Sequence, residues 1–184
     1  MWDKIQQWFA LQRMRWDTRK HRAETISFSR AVKDVRNILI CLPWEYREFR
    51  VARYVLKFLP QSDEHHQITF VVPASYADMI PGRPQDRVIA VNGNSRDKLG
   101  RFNDDFSRQV LEYTYQAAAD FNSNFDYGTS LLCLASEAPL RIGFSSPYAE
   151  LFFNVEIDKP EKRFLLEGAY RSIQRLLAIE TSEK

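Results

Sequence analysis

Apolar residues follow two rhythms along this 184-residue chain. Short unbroken β-branched and apolar runs alternate with longer stretches whose apolar positions recur every three or four residues. The first rhythm suits strands buried on both faces, and the second suits helices that cover them. Residues 37–42 form the first such run, stopped by Pro43. Residues 67–72, stopped by Pro73, and residues 87–91, followed by Asn92-Gly93-Asn94, form the next two. Between them, residues 45–59 place Phe49, Ala52, Val55, Leu56 and Leu59 on one side before Pro60, which predicts a helix. A short helical turn is expected over 76–80, ended by Pro81-Gly82.

The second half continues the alternation. A helix is expected over 103–119, capped by Asn103 or Asp104, with Phe121 in a short strand after it. A helix over 127–136, a strand over 140–144 and another over 152–157 follow. Pro160 opens a last helix through Ile179, with Phe164, Leu165, Tyr170, Ile173, Leu176 and Leu177 on its apolar side. Six strands alternating with helices predict an α/β fold, a single doubly wound, mainly parallel Rossmann-like sheet with helices on both faces. The expected organisation is a helical arm over 1–36, the Rossmann-like domain over 37–180 and a tail over 181–184.

The arm stands apart. Residues 2–24 contain no Gly or Pro, and Trp2, Ile5, Phe9 and Trp16 fall close together on a helical projection, with Trp8 widening the stripe. Ser27 or Ser29 could cap a second short helix. The formal charge of +2 is small, but residues 1–24 carry six Lys/Arg, Arg13 among them, against three Asp/Glu. The other 160 residues carry 20 basic and 21 acidic groups. Trp and Arg are the side chains enriched where partners dock, so Trp2, Ile5, Trp8, Phe9, Arg13 and Trp16 are candidate partner-binding residues. Packing on the chain's own domain and lying on anionic lipid are the two alternatives.

Other constellations are weaker. The run Ser62-Asp63-Glu64-His65-His66 has metal-binding residue types, but adjacent loop residues point apart, so a solvated loop is expected and no metal is assigned. Cys41 and Cys133 lie inside apolar runs and read as small buried hydrophobes. None of the six glycines forms a dinucleotide or phosphate-binding loop, so no cofactor is expected. The charge balance gives no reason to expect nucleic acid. With no apolar run long enough to span a bilayer and no signal-peptide pattern, the chain is expected in the cytoplasm, where a complex could hold it at a membrane face.

The order of motifs from Asn37 to about Leu177 resembles the N-terminal lobe of heptosyltransferase-type, glycosyltransferase family 9-like proteins, which have the two-lobed GT-B fold. The resemblance rests on Asn37-Ile38-Leu39-Ile40, Leu59-Pro60, Ile68-Thr69-Phe70-Val71, Asp120 and Leu140-Arg141-Ile142-Gly143-Phe144. It implies a single GT-B-like lobe. Family members carry a Gly-Asp pair after the first strand, where this chain has Pro43-Trp44-Glu45-Tyr46-Arg47-Glu48. Glu45 or Glu48 could take the place of that Asp, or be ordinary acids in a first helical turn. With Trp44, and with Ser145 and Ser146 at another strand end, they make a candidate vestigial ligand site. The family's donor site lies mainly on a second lobe that these residues do not reach.

The chain also resembles one-lobe accessory subunits of the photosynthetic reaction-centre apparatus of green sulfur bacteria. The expectation is therefore a non-catalytic scaffold or accessory subunit docking through its arm, with other subunits of a membrane-associated complex as partners. The alternative is a sugar transferase that takes a second lobe from a partner chain.

Overall fold

The computed structural model describes residues 16, 18, 35–57, 59, 65–98, 100–160, 165–177 and 179. Six parallel strands form one sheet: β1 (Asn37–Cys41), β2 (Gln67–Pro73), β3 (Arg87–Val91), β4 (Ala117–Asp120), β5 (Leu140–Phe144) and β6 (Val155–Ile157). Their spatial order is β3-β2-β1-β4-β5-β6. Among the described residues, four helices flank them: α1 (Tyr46–Leu56), α2 (Asp104–Val110), α3 (Tyr127–Ala135) and α4 (Leu166–Leu176).

Alternation along each strand decides what each helix covers. Ile38, Ile40, Ile68, Phe70, Ala117, Ala119, Leu140 and Ile142 pack with Phe49, Val55 and Leu56 of α1 and Leu166, Tyr170 and Ile173 of α4. Leu39, Cys41, Val71, Ile89 and Ala118 face the other way, onto Phe106 and Val110 of α2 and Leu132 and Cys133 of α3. The strands are near-continuous apolar runs because both faces are covered.

Two glycines record close approaches. A side chain on Gly143 would run into the Phe153 ring, so the bare backbone of β5 is the seat of that ring. A side chain on Gly128 would collide with the Gly100 carbonyl, so Gly100 lies close against the start of α3.

Most expected elements stand within a residue or two of their sequence-based bounds. Four differ. The helix expected over 45–59 runs from Tyr46 to Leu56. The helix expected over 103–119 ends at Val110, and Ala117–Asp120 is the central strand β4 rather than helix; Phe121 lies just beyond it, its N–H on the Cys41 carbonyl at 2.9 Å. Alanine has the highest helix propensity, but propensity yields to tertiary context, and a strand slot between β1 and β5 outweighs it. The strand expected over 152–157 is only Val155–Ile157, since 149–151 form a short 3-10 turn. The last helix is seen from Leu166 to Leu176.

In the arm, Trp16 and Thr18 are helical, and Trp16 is 67% exposed. Trp2, Ile5, Trp8, Phe9 and Arg13, the Ser27 or Ser29 cap, Phe164 and the 181–184 tail lie outside the described residues. No helix among the described residues is long and apolar enough to cross a membrane.

Candidate functional site

Strand β1 has β2 on one side and β4 on the other, so the strand order reverses there. In open α/β sheets, ligands bind outside the carboxyl ends of the two strands at that reversal. Here those ends are Leu42-Pro43-Trp44 and Asp120-Phe121-Asn122-Ser123. The two loops are tied to each other, because the Trp44 N–H donates to Asn122 Oδ1 at 3.0 Å.

Asp120 is the buried centre, 3% exposed. Its carboxylate accepts from Thr129 Oγ1 at 2.6 Å, from the Asn122 N–H at 3.0 Å and from Asn122 Nδ2 at 2.7 Å. Burial pushes its pKa up to about 7, against the lowering effect of the Thr129 and Asn122 hydrogen bonds. Glu48, in the first turn of α1, is turned inward and 6% exposed. It accepts from Ser123 Oγ at 2.6 Å and from the Ser123 N–H at 3.3 Å.

Asp126 caps α3 and accepts from the Thr129 N–H at 2.9 Å. It also holds Arg96 through two bonds, of 2.8 and 3.0 Å. The Arg96 guanidinium lies 3.9 Å from the Trp44 ring centre and 4.7 Å from that of Phe102. The cation is thus pinned between two aromatic faces by a fork-shaped carboxylate contact. Trp44 Nε1 and Arg96 Nε are buried in this cluster without a hydrogen-bond partner.

Two acids, an amide and two hydroxyls therefore meet at the reversal, and they bond each other. A cavity of about 580 Å³ opens beside Phe102, Asn103, Ser107, Gly128 and Leu131, and neither Asp120, Glu48 nor Trp44 lines it.

Of the site residues named from the sequence, Trp44 and Glu48 lie at the reversal. Glu45 sits at the N-cap position of α1 and makes no capping bond with its side chain. Ser145 and Ser146 lie at the end of β5, where Ser145 Oγ bonds Glu156 at 3.0 Å and Ser146 Oγ accepts from the Tyr148 N–H at 3.4 Å. Both serines serve their own loop. Sequence reasoning did not place Asn122, Ser123, Asp126, Thr129 or Arg96 at a functional site. The signal was there in Asp120-Phe121-Asn122-Ser123, polar residues directly after an apolar run, but it reads equally well as a turn.

Elsewhere, Cys41 and Cys133 are free and buried, with their sulfurs 4.0 Å apart. Their hydrogen bond and burial raise the Cys41 pKa. No group of His, Cys, Asp and Glu among the described residues could hold a metal ion. Arg141 is buried in β5, and its Nε and Nη1 donate to the Phe152 and Ala138 carbonyls at 3.0 and 2.8 Å. Carbonyl oxygens alone satisfy the cation, and burial lowers its pKa.

The geometry defines a Rossmann-like lobe whose strand-order reversal carries polar side chains bonded to one another. Solved structures with a similar fold include glycosyltransferases. The E. coli heptosyltransferase WaaC with ADP is similar at TM-score 0.59 and 16% identity, over 80% of this chain and 49% of that one. The family 9 glycosyltransferase from Veillonella parvula is similar at TM-score 0.60 and 16% identity, over 84% and 44%. The E. coli ADP-heptose lipopolysaccharide heptosyltransferase II gives TM-score 0.51 and 14% identity, over 78% and 39%.

This chain thus has a heptosyltransferase-like lobe fold and spans about half the length of the first of these proteins. No family model and no curated protein matches the sequence. The resemblance to photosynthetic accessory subunits has no counterpart among these comparisons.

Proposed function

We propose that this chain is a non-catalytic accessory subunit, a heptosyltransferase-like lobe that serves as a scaffold and docks on protein partners through its N-terminal arm. The observation that carries this reading is the self-occupied reversal point. Asp120 and Glu48, the acids best placed to meet a sugar hydroxyl, are both buried and already hold Thr129, Asn122 and Ser123. Trp44, where the relatives' pattern has a Gly-Asp pair, lies under Arg96 rather than leaving backbone open to a ligand. A substrate would have to displace that pair before reaching either acid.

A second reading is a sugar transferase completed by a further lobe, and one observation favours it. A carboxyl with a pKa near 7 is suited to general-base work at neutral pH. The two readings separate in a turnover assay. The protein is incubated with ADP-heptose, other nucleotide sugars and lipopolysaccharide-core acceptors, and release of nucleoside diphosphate is followed. No release above the no-protein rate is expected. Release that disappears in Asp120→Asn while the fold is kept would establish the transferase instead.

A further inference from the structure

Helix α1 carries its cations in an arrangement that works against the free protein. Arg47, Arg50, Arg53 and Lys57 are all exposed on its outer side. Arg47 and Arg50, and Arg50 and Arg53, are three residues apart; Arg53 and Lys57 are four apart. Like charges at these spacings face each other on a helix and repel. Arg47 also stands in the first turn, where the positive end of the helix dipole disfavours a cation, while Arg53 and Lys57 stand at the end that favours one. The one acid inside the helix, Glu48, is turned into the core and held by Ser123.

The other helices do the opposite. On α2, Arg108 pairs with Asp105 at 3.2 Å, and on α4, Arg171 pairs with Glu167 at 2.9 Å. Helix α3 has no charged residue. None of the four α1 cations makes an ion pair with a described residue.

The apolar side of α1 is spent on the core, with Phe49, Ala52 and Val55 fully buried, so this helix has no apolar face left to sink into lipid. What it shows outward is three guanidiniums, an ammonium and the half-exposed rings of Tyr46 and Tyr54. Guanidinium forks match carboxylates two bonds at a time, and Tyr and Arg are favoured anchors at protein interfaces.

We propose that the outer face of α1 is a docking surface for an acidic protein segment, a helix whose carboxylates repeat at the spacing of Arg47, Arg50, Tyr54 and Lys57. This surface is separate from the arm and does not depend on whether the lobe is catalytic. The repulsion along α1 is relieved when the acidic partner binds. The same cations should therefore cost the free protein stability and give the complex affinity.

The test uses the full chain and a synthetic helical peptide with glutamates at positions i, i+3, i+7 and i+10, titrated by fluorescence anisotropy at low and moderate salt. The comparison ligands are a peptide of the same composition in scrambled order and vesicles of phosphatidylserine and phosphatidylcholine. Expected are saturable binding of the ordered peptide, at least about tenfold weaker binding of the scrambled one, and weakening as salt rises.

Arg47→Gln/Arg50→Gln should lose about tenfold or more in affinity and melt at a temperature equal to or above that of the wild type. Arg108→Gln, on α2, should bind as the wild type does. Equal binding of both peptides, unchanged affinity in the double variant, or vesicle binding without peptide binding would each overturn the proposal. A double variant that melts well below the wild type would overturn it too, since the cations would then be structural.

Discussion

The two ends of the sheet fasten their acids in different ways. At the amino end, Asp86 sits against Arg83 in an ion pair at 2.8 Å, with side chains 0% and 1% exposed. Arg83 also reaches the His66 carbonyl at 2.9 Å, and Asp86 Oδ1 accepts from the Ile68 N–H at 3.0 Å. That pair ties the starts of β2 and β3. At the carboxyl end, Asp120 and Glu48 are nearly as buried, yet hydroxyls and amides hold them and no cation does. A buried acid with a guanidinium partner is a structural fastener. Burial pushes the pKa of Asp120 up to about 7, so this acid keeps a proton equilibrium within physiological reach. Both ends bury charged residue types, and at the carboxyl end Asp120 can change its charge state near neutral pH.

The largest expected effect is at the amino end. Removing one partner of a buried ion pair strands the other, so Arg83→Ala should destabilise the protein by about 3–5 kcal/mol in urea unfolding. A loss below about 1 kcal/mol would erase the contrast.

The carboxyl end should appear in the pH dependence of stability. Asp120 has a folded pKa of about 7 against an ordinary 3.8. The folded state therefore binds the proton more tightly than the unfolded chain does. Its contribution is fully present below pH 3.8, declines as pH rises, and is lost above about pH 7. A shift of that size corresponds to something on the order of 4 kcal/mol across the window. The stability difference between wild type and Asp120→Asn should fall from pH 4 to pH 7 and be level above it. A difference independent of pH would contradict the raised pKa of Asp120.

Thr129→Val removes the shortest bond to Asp120 and should cost about 1–3 kcal/mol, as expected when a buried acceptor loses its donor. It should also move the pH window upward, because that bond lowers the pKa. The smallest effect belongs to an exposed pair. Arg108 and Asp105 are 77% and 91% exposed, and Arg108→Ala should change stability by less than about 0.5 kcal/mol.

The fold was more legible than the site. Ile38 to Leu42 and Leu140 to Phe144 announce themselves as buried strands because both sheet faces demand apolar side chains. Pro43 and Pro73 mark strand exits because a proline N cannot donate to a ladder. Ala117 to Ala119 misled because their small side chains fit a crowded central strand as well as a helix. The site was harder because it is assembled across distance. Glu48 meets Ser123, and Arg96 meets Asp126 and Trp44, through pairings set by the strand-order reversal rather than by local spacing. Glu48 in a first helical turn looks like an ordinary solvated acid until Ser123 is placed beside it.

The most direct test of the self-occupied reversal point is an NMR titration of the labelled protein with ADP-heptose. It follows the Trp44 indole N–H, the Arg96 Nε–H and the Asn122 and Ser123 amides. The closed cluster should leave all four unmoved up to millimolar ligand. Saturable shifts at micromolar ligand, absent in Asp120→Asn, would contradict the account.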